Sequence, residues 1–133
     1  MARLVCAGIV AVLMSTEPAA AAETTPAVPW RKDFKAALRE ARTTGKPVMV
    51  DFWAKWCKPC EAIEPHLEAV ASAHGIPLVK VDIDTQPGIA SRYGVLSLPT
   101  VVLLVGGEPR ETVYGAQPRA RYEQAVAAHV TAN

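Results

Sequence analysis

The sequence has few cysteines, no excess of charge of either sign and no long apolar run. Its three cysteines among 133 residues are too few for a fold held together mainly by disulfides. The 14 Lys and Arg residues balance 13 Asp and Glu residues, so the chain offers no basic field for nucleic acid or an anionic membrane surface. Half of the residues are hydrophobic, which excludes intrinsic disorder, and the length fits one domain. The function is therefore expected in a local site, without a nucleic-acid partner.

The first 22 residues differ from the rest of the chain and carry the pattern of an export signal. Arg3 is followed by 11 uncharged, mostly apolar residues, Leu4–Met14, and later by the small side chains of Ala19–Ala22. This order is typical of a secretory signal peptide, whereas a membrane-spanning helix needs about 18 or more apolar residues. We predict a signal peptide over residues 1–22, with an uncleaved anchor and a buried helix as alternatives. The predicted location is the periplasm or cell envelope, beyond a bacterial inner membrane.

Cleavage after residue 22 would leave a chain with two cysteines. Residues 23–29 are polar, contain proline and show no periodicity, so we expect a flexible lead before a domain over residues 30–133. Cys6 would leave with the signal peptide. The remaining Cys57 and Cys60 close a loop so small that a disulfide there restricts the unfolded chain little. Their purpose is therefore expected to be chemical.

Short apolar runs alternate with segments of helical periodicity along this domain. Helices are predicted over Asp33–Thr44, from near Cys57 to Gly75, over Gln86–Tyr93 and over Pro118–Val130, and strands over Pro47–Trp53, Pro77–Ile83, Thr100–Val105 and Arg110–Tyr114. Gly106 and Gly107 predict a tight turn between the last two strands, which would form an antiparallel edge. Buried strands that alternate with helices need crossovers, so we predict an α/β fold whose mixed central sheet has helices on both faces.

The segment Cys57-Lys58-Pro59-Cys60 lies where a buried strand is predicted to end and a helix to begin. A sulfur at this place lies near unpaired backbone N–H groups and the positive end of the helix dipole, which stabilise the nucleophilic thiolate. Cys60 comes one turn later, and Pro59 suits a first turn because its missing N–H is no loss there. The pattern predicts a nucleophile and a resolving thiol. A structural disulfide and half of a metal site are the alternatives.

Around this cysteine pair the chain resembles the thioredoxin family. The matching residues are VDFWAKWCKPC (Val50–Cys60), Pro65, LVKVDID (Leu78–Asp84), YGVLSLPT (Tyr93–Thr100) and Gly115. The resemblance covers the chain from Asp33 to the C-terminus. It implies the thioredoxin fold and a thiol:disulfide oxidoreductase, for which we expect no cofactor and no metal.

The resemblance also implies catalytic roles for four residues. Cys57 would be the attacking thiol and Cys60 the resolving one. Asp51 matches a buried acid that exchanges protons with the second cysteine, and Lys80 matches the lysine that neighbours this acid. A carboxyl within an apolar strand should have a raised pKa, suited to proton transfer near neutral pH. The alternative is that Lys80 holds Asp51 and the acid has no catalytic duty.

Substrate binding is implied for residues on both sides of the dithiol. Pro99 matches the cis-proline of the family, and a cis bond there would turn the backbone of Leu98 outward to pair with an extended substrate. Trp56 matches an aromatic residue that shields the site, and we expect it to contact the substrate. The alternative is that it only covers the site. The complete predicted set is Trp56, Lys58, Pro59, Leu98, Pro99 and Gly115.

These features predict a monomer that exchanges disulfides with extracytoplasmic proteins. We favour protein-disulfide reduction because Lys58-Pro59 is closer to reductive members of the family, and a disulfide oxidase or isomerase is the runner-up. An exported reductase needs electrons, so a membrane-embedded donor is a candidate partner. The segment ARTTGKP (Ala41–Pro47) resembles exported thioredoxin-like domains. A Cu(I)-binding or delivery module is a less favoured alternative, since two thiolates can hold a soft ion.

Overall fold

The computed structural model describes residues 29–130, so the predicted signal peptide over residues 1–22, Cys6 and nearly all of the predicted lead lie outside it. The strands are β1 (Trp30–Arg31), β2 (Val48–Trp53), β3 (Leu78–Asp82), β4 (Thr100–Val105) and β5 (Glu108–Tyr114). The helices are α1 (Phe34–Thr44), α2 (Lys58–His74), α3 (Pro87–Arg92) and α4 (Arg119–Val130). Within residues 29–130, no helix is both long enough and apolar enough to cross a membrane.

The strands form one mixed sheet in the order β1-β3-β2-β4-β5. The strands β1, β3 and β2 run parallel, whereas β4 is antiparallel to β2 and β5 is antiparallel to β4. The strand β2 is therefore central, and all its residues except Trp53 are buried. The predicted α/β fold with a mixed central sheet is confirmed.

Helices cover both faces of this sheet. Successive side chains of a strand point to opposite faces, so each face has its own core cluster. On one face, Met49 of β2 packs in a cluster with Leu67 of α2 and Tyr122 of α4. On the other, Phe52 of β2 packs with Phe34 of α1, and α3 lies in the same cluster. Asp51 follows Met49 by two positions, so its side chain lies on the face that α2 and α4 cover.

Two differences from the predicted elements occur at the edges of the sheet. The strand β1 was not predicted, because two residues are too few to show a periodicity; Trp30 pairs with Leu78 of β3. The strand β5 begins at Glu108 rather than at Arg110, and it includes Pro109. A proline is tolerated there because β5 is an edge strand, and the register with β4 shifts beside it.

Candidate active site

The first turn of α2 carries the cysteine pair, directly after the central strand. Cys57 is the N-cap of the helix, with an extended backbone, and its Sγ accepts a hydrogen bond from the backbone N–H of Cys60 at 3.3 Å. The backbone N–H of Cys57 donates to the carbonyl of Ala54 at 3.1 Å, which closes the turn between β2 and α2. The sequence therefore places Cys57 at the helix start, as predicted.

Cys57 and Cys60 form a disulfide, which is the oxidised state of the predicted redox pair. Both residues are buried, and they pack with Ala54 and with the half-buried side chains of Trp53 and Leu98. Reduction of this bond would release the Cys57 sulfur beside the free N–H groups of a helix N-terminus, which favour the thiolate. The arrangement suits reversible exchange of electrons between thiols and disulfides.

The carboxyl of Asp51 is fully buried on the sheet face that α2 covers. Its exposed fraction is 0%, and neither of its oxygens has a hydrogen-bond partner among the described residues. Burial raises the pKa of Asp51 to about 7; the positive charge of Lys80 opposes this rise, and the negative charge of Glu64 adds to it. Both protonation states are therefore populated near neutral pH, so the group can both take up and release a proton.

Lys80 lies beside Asp51 in the sheet but forms its ion pair with a different residue. The two residues occupy paired positions of β3 and β2. The Lys80 ammonium forms an ion pair with the carboxylate of Glu64, which α2 supplies. The same ammonium lies 4.6 Å from the ring centroid of Trp30 and 4.8 Å from that of Trp53. The Lys80 ammonium therefore pairs with Glu64 and makes no hydrogen bond to Asp51, whose catalytic duty remains a prediction.

The loops before β4 and after β5 meet beside the disulfide. The Leu98–Pro99 peptide bond is cis, which confirms the prediction for this bond. Leu98 packs against the cluster that contains the disulfide. The carbonyl of Pro99 accepts a 2.9 Å hydrogen bond from the N–H of Gly115. Gly115 has φ +75°, a left-handed conformation that glycine adopts at little cost.

The other predicted binding residues are exposed next to the cysteines. The ring of Trp56 is 67% exposed, and its Nε1 donates to Oδ2 of Asp84 at 3.0 Å. Lys58 is exposed, and its Nζ lies 3.5 Å from Oε2 of Glu61. Pro59 is exposed in the first turn of α2. The substrate-binding roles of these residues remain predictions, although their positions are compatible with them.

The structure also shows neighbours of the site that the sequence reasoning missed. Glu64 pairs with Lys80, and Asp84 fixes the Trp56 ring. Leu96 is 94% exposed in the loop that carries the cis-proline. Only Glu64 had a usable signal, because it follows Cys60 by four positions and thus falls on the same side of the predicted helix.

No group of three or more His, Cys, Asp or Glu side chains that could hold a metal ion occurs within residues 29–130. The sulfurs of Cys57 and Cys60 are bonded to each other in this structure. The site that the described residues form consists of this cysteine pair and the buried carboxyl of Asp51 on the adjoining strand β2.

Comparisons with known proteins agree with this fold and site. The thioredoxin family matches residues 27–128. A thioredoxin of Streptomyces clavuligerus is 51% identical over 76 residues, which cover 56% of this chain and 71% of the relative. A thioredoxin of Alicyclobacillus acidocaldarius is 39% identical over 94 residues, which cover 69% of this chain and 90% of the relative. Among solved structures, a thioredoxin variant from Halobacterium salinarum aligns with a TM-score of 0.68 at 31% identity, covering 76% of this chain and 88% of its own.

The fold and the cysteine pair thus define a thiol:disulfide oxidoreductase. More particularly, the chain belongs to the thioredoxin family. The family match spans most of the chain, and the alignments with the two thioredoxin relatives each cover more than two thirds of the relative's length. The names of these three relatives are those of ordinary thioredoxins and say nothing of export.

Proposed function

We propose that this chain is a protein-disulfide reductase that works outside the bacterial cytoplasm. The observation that carries the proposal is the Cys57–Cys60 disulfide at the N-terminus of α2, with the buried carboxyl of Asp51 on the strand beneath the helix. The substrates would be disulfides of extracytoplasmic proteins. The reaction moves two electrons from the reduced cysteine pair to the substrate disulfide.

In the first step, the thiolate of Cys57 attacks one sulfur of the substrate disulfide. The substrate S–S bond breaks, a mixed disulfide forms, and the other substrate sulfur leaves as a thiolate that takes a proton from water. The N-cap position supports this role, since the thiolate gains the N–H of Cys60 as a donor. Cys57 is for this reason assigned as the attacking thiol.

In the second step, the thiol of Cys60 gives its proton to the carboxylate of Asp51. The resulting sulfur anion attacks the sulfur of Cys57, the mixed disulfide breaks, and the substrate leaves with its second sulfur reduced. The Cys57–Cys60 disulfide is then restored, and Asp51 holds the proton. A pKa of about 7 lets Asp51 accept this proton and return it when the enzyme is reduced again.

An extended segment of the substrate would bind across the loops that meet beside the disulfide. The backbone N–H and C=O of Leu98 would pair with it, in the manner of an added strand. Pro99 and Gly115 hold this loop in place through their 2.9 Å hydrogen bond. The exposed rings of Trp56, next to Cys57 in sequence, and Tyr114, next to Gly115, offer apolar contact.

The pattern of the first 22 residues supports a site of action in the periplasm or cell envelope. The family match begins only at residue 27 and so lies after this segment. Because such compartments are oxidising, the dithiol would have to be regenerated, and a membrane-embedded electron donor is the proposed partner of a monomeric enzyme.

Export can be tested by expressing the full chain in a bacterium and measuring the mass of the product in each cell fraction. We expect the protein in the extracytoplasmic fraction, shortened by its first 22 residues. A matched variant, Val10→Asp, interrupts the apolar run and should leave the protein full-length in the cytoplasm. A wild-type protein that stays full-length in the cytoplasm would contradict the proposed location.

The direction of the reaction can be tested by equilibrating the Cys57–Cys60 pair with glutathione buffers. A reductase should have a reduction potential near that of thioredoxin, about −270 mV. A value near about −180 mV or about −120 mV is typical of disulfide isomerases and strong oxidants, respectively, and would favour the runner-up function. The measurement does not depend on where the protein is located.

A further inference from the structure

We propose that Glu64 is a positioning residue, which holds the Lys80 ammonium away from Asp51 and so leaves the buried carboxyl free to exchange a proton with Cys60. The inference rests on the proposed thiol–disulfide exchange and deepens its proton-transfer step. Glu64 would touch neither the substrate nor the reacting sulfurs, because its effect would pass through Lys80.

The sheet places Lys80 where it would be expected to pair with Asp51. The two residues are opposite each other on adjacent strands, which lie about 4.8 Å apart. Met49 and Leu78 precede them by two positions in their strands and pack in the same core cluster, so both charged side chains rise from the same face. A lysine next to a buried carboxylate would ordinarily stabilise the charged form through an ion pair.

The Lys80 ammonium is instead held by three groups from other elements. Glu64 of α2 supplies the carboxylate of the ion pair, and the rings of Trp30 and Trp53 lie within 5 Å of the same nitrogen. The Trp30 ring is itself fixed, since its Nε1 donates to Oε1 of Glu68 at 2.6 Å. The side chain of Lys80 is only 17% exposed, so this ion pair is poorly screened by water.

The electrostatic consequence follows from the two charges that act on Asp51. The charge of Lys80 lowers the pKa of the carboxyl, and the charge of Glu64 raises it. Removing the Glu64 charge would leave the Lys80 ammonium uncompensated and free to turn toward the sheet. The charged form of Asp51 would then be stabilised, and its pKa would fall.

The charged groups that β5 and α4 bring to this face pair with one another. Glu111 of β5, opposite the core residue Leu103, lies 2.8 Å from Arg121 and 3.6 Å from His129 of α4. The helix α4 presents the phenol of Tyr122, whose pKa is raised, chiefly by burial, and which donates to the carbonyl of Gly115. The neighbouring position of β4 is the apolar Val101. In the oxidised protein, Cys57 and Cys60 are joined and do not titrate.

The inference is tested by following the carboxyl carbon of Asp51 by NMR during a pH titration of the oxidised protein. In Glu64→Gln we expect the midpoint of the Asp51 titration to move down by about one pH unit, because the Lys80 charge then acts on Asp51 without the opposing charge of Glu64. The control is Glu40→Gln, which removes the same charge from the ion pair between Glu40 and Arg31 near α1. This control should leave the midpoint unchanged, and Glu64→Asp should leave it close to that of the wild type.

A second comparison tests whether Glu64 acts through Lys80. In a Lys80→Met background, the step from Glu64 to Gln should change the midpoint by less than half as much as in the wild type. An unchanged midpoint in Glu64→Gln, or the same shift with and without Lys80, would overturn the inference. Because no substrate is present, the result is independent of whether the chain reduces or oxidises its substrates and of where it does so.

Discussion

The indole of Trp56 and the carboxylate of Asp84 join two loops at the active site through a 3.0 Å hydrogen bond. Trp56 directly precedes Cys57, and Asp84 follows β3 in a turn where its own N–H donates to the side chain of Asp82. A ring that is 67% exposed is thus held in one place beside Cys57. This makes the apolar surface next to the disulfide rigid before substrate arrives.

Releasing the Trp56 ring should weaken substrate binding without slowing the chemical steps. In Asp84→Ala, the free ring must be immobilised when substrate binds, which costs about 1 kcal/mol. We expect the KM for insulin to rise about fivefold while kcat stays near the wild-type value. The matched variant Trp56→Phe keeps an aromatic ring but lacks the donor, and it should behave alike. A fall in kcat at unchanged KM in both variants would disagree with this role.

The buried acid should make the stability of the oxidised protein depend on pH. The pKa of Asp51 is raised from its ordinary value of 3.8 to about 7, so the folded chain keeps a proton that the unfolded chain has already lost. The stability that this proton provides is complete below about pH 4 and is lost as the pH rises through about 7. The loss amounts to about 4 kcal/mol.

Asp51→Asn removes this dependence, because the amide has nearly the same shape and does not titrate. As the pH rises from about 4 to about 8, we expect the free energy of unfolding of the variant to increase by about 4 kcal/mol relative to that of the wild type. Urea unfolding of both oxidised proteins at the two pH values measures this difference, and pH effects of other groups cancel. A stability difference that is equal at both pH values would show that folding does not raise the pKa of Asp51.

Gly115 should be required for its backbone conformation rather than for lack of space. A Cβ at this position would come no closer than 3.9 Å to another residue's atoms, but the residue has φ +75°. Gly115→Ala should therefore cost about 1 to 2 kcal/mol in urea unfolding. Gly88 of α3 is the control, since it has open space around it and no positive φ, and Gly88→Ala should be neutral or slightly stabilising. Equal effects of the two substitutions would disprove this explanation.

The sequence was sufficient to predict every helix and four of the five strands, because their apolar residues recur at a helical period or form short buried runs. All four helices begin and end within a residue of their predicted bounds, as α1 does at its Asp33 cap. The strand β1 could not be predicted, because its pairing with β3 is a long-range contact between two-residue segments. The predicted start of β5 is two residues late, because Pro109 argues against a strand unless the strand is known to lie at an edge.

The candidate site shows the same division between local and distant information. Cys57, Cys60 and Pro99 stand in contiguous motifs, and the structure places them where those motifs predict. The partner of Lys80 depends instead on how α2 crosses the sheet. The spacing from Cys60 places Glu64 on the same side of α2 but does not specify its contact with β3. The sequence therefore predicts Lys80 beside Asp51, as the structure shows, but does not predict its ion pair with Glu64.

The most direct test of the account is to trap the mixed disulfide and identify the sulfur that carries it. Reduced Cys57→Ser and Cys60→Ser variants would each be mixed with a protein disulfide such as that of insulin, and the adducts measured by mass spectrometry. We predict a stable adduct on Cys57 in the Cys60→Ser variant and little or none in Cys57→Ser, because only Cys57 occupies the N-cap of α2. Adducts of equal yield in both variants, or an adduct only on Cys60, would contradict the assignment of Cys57 as the attacking thiol.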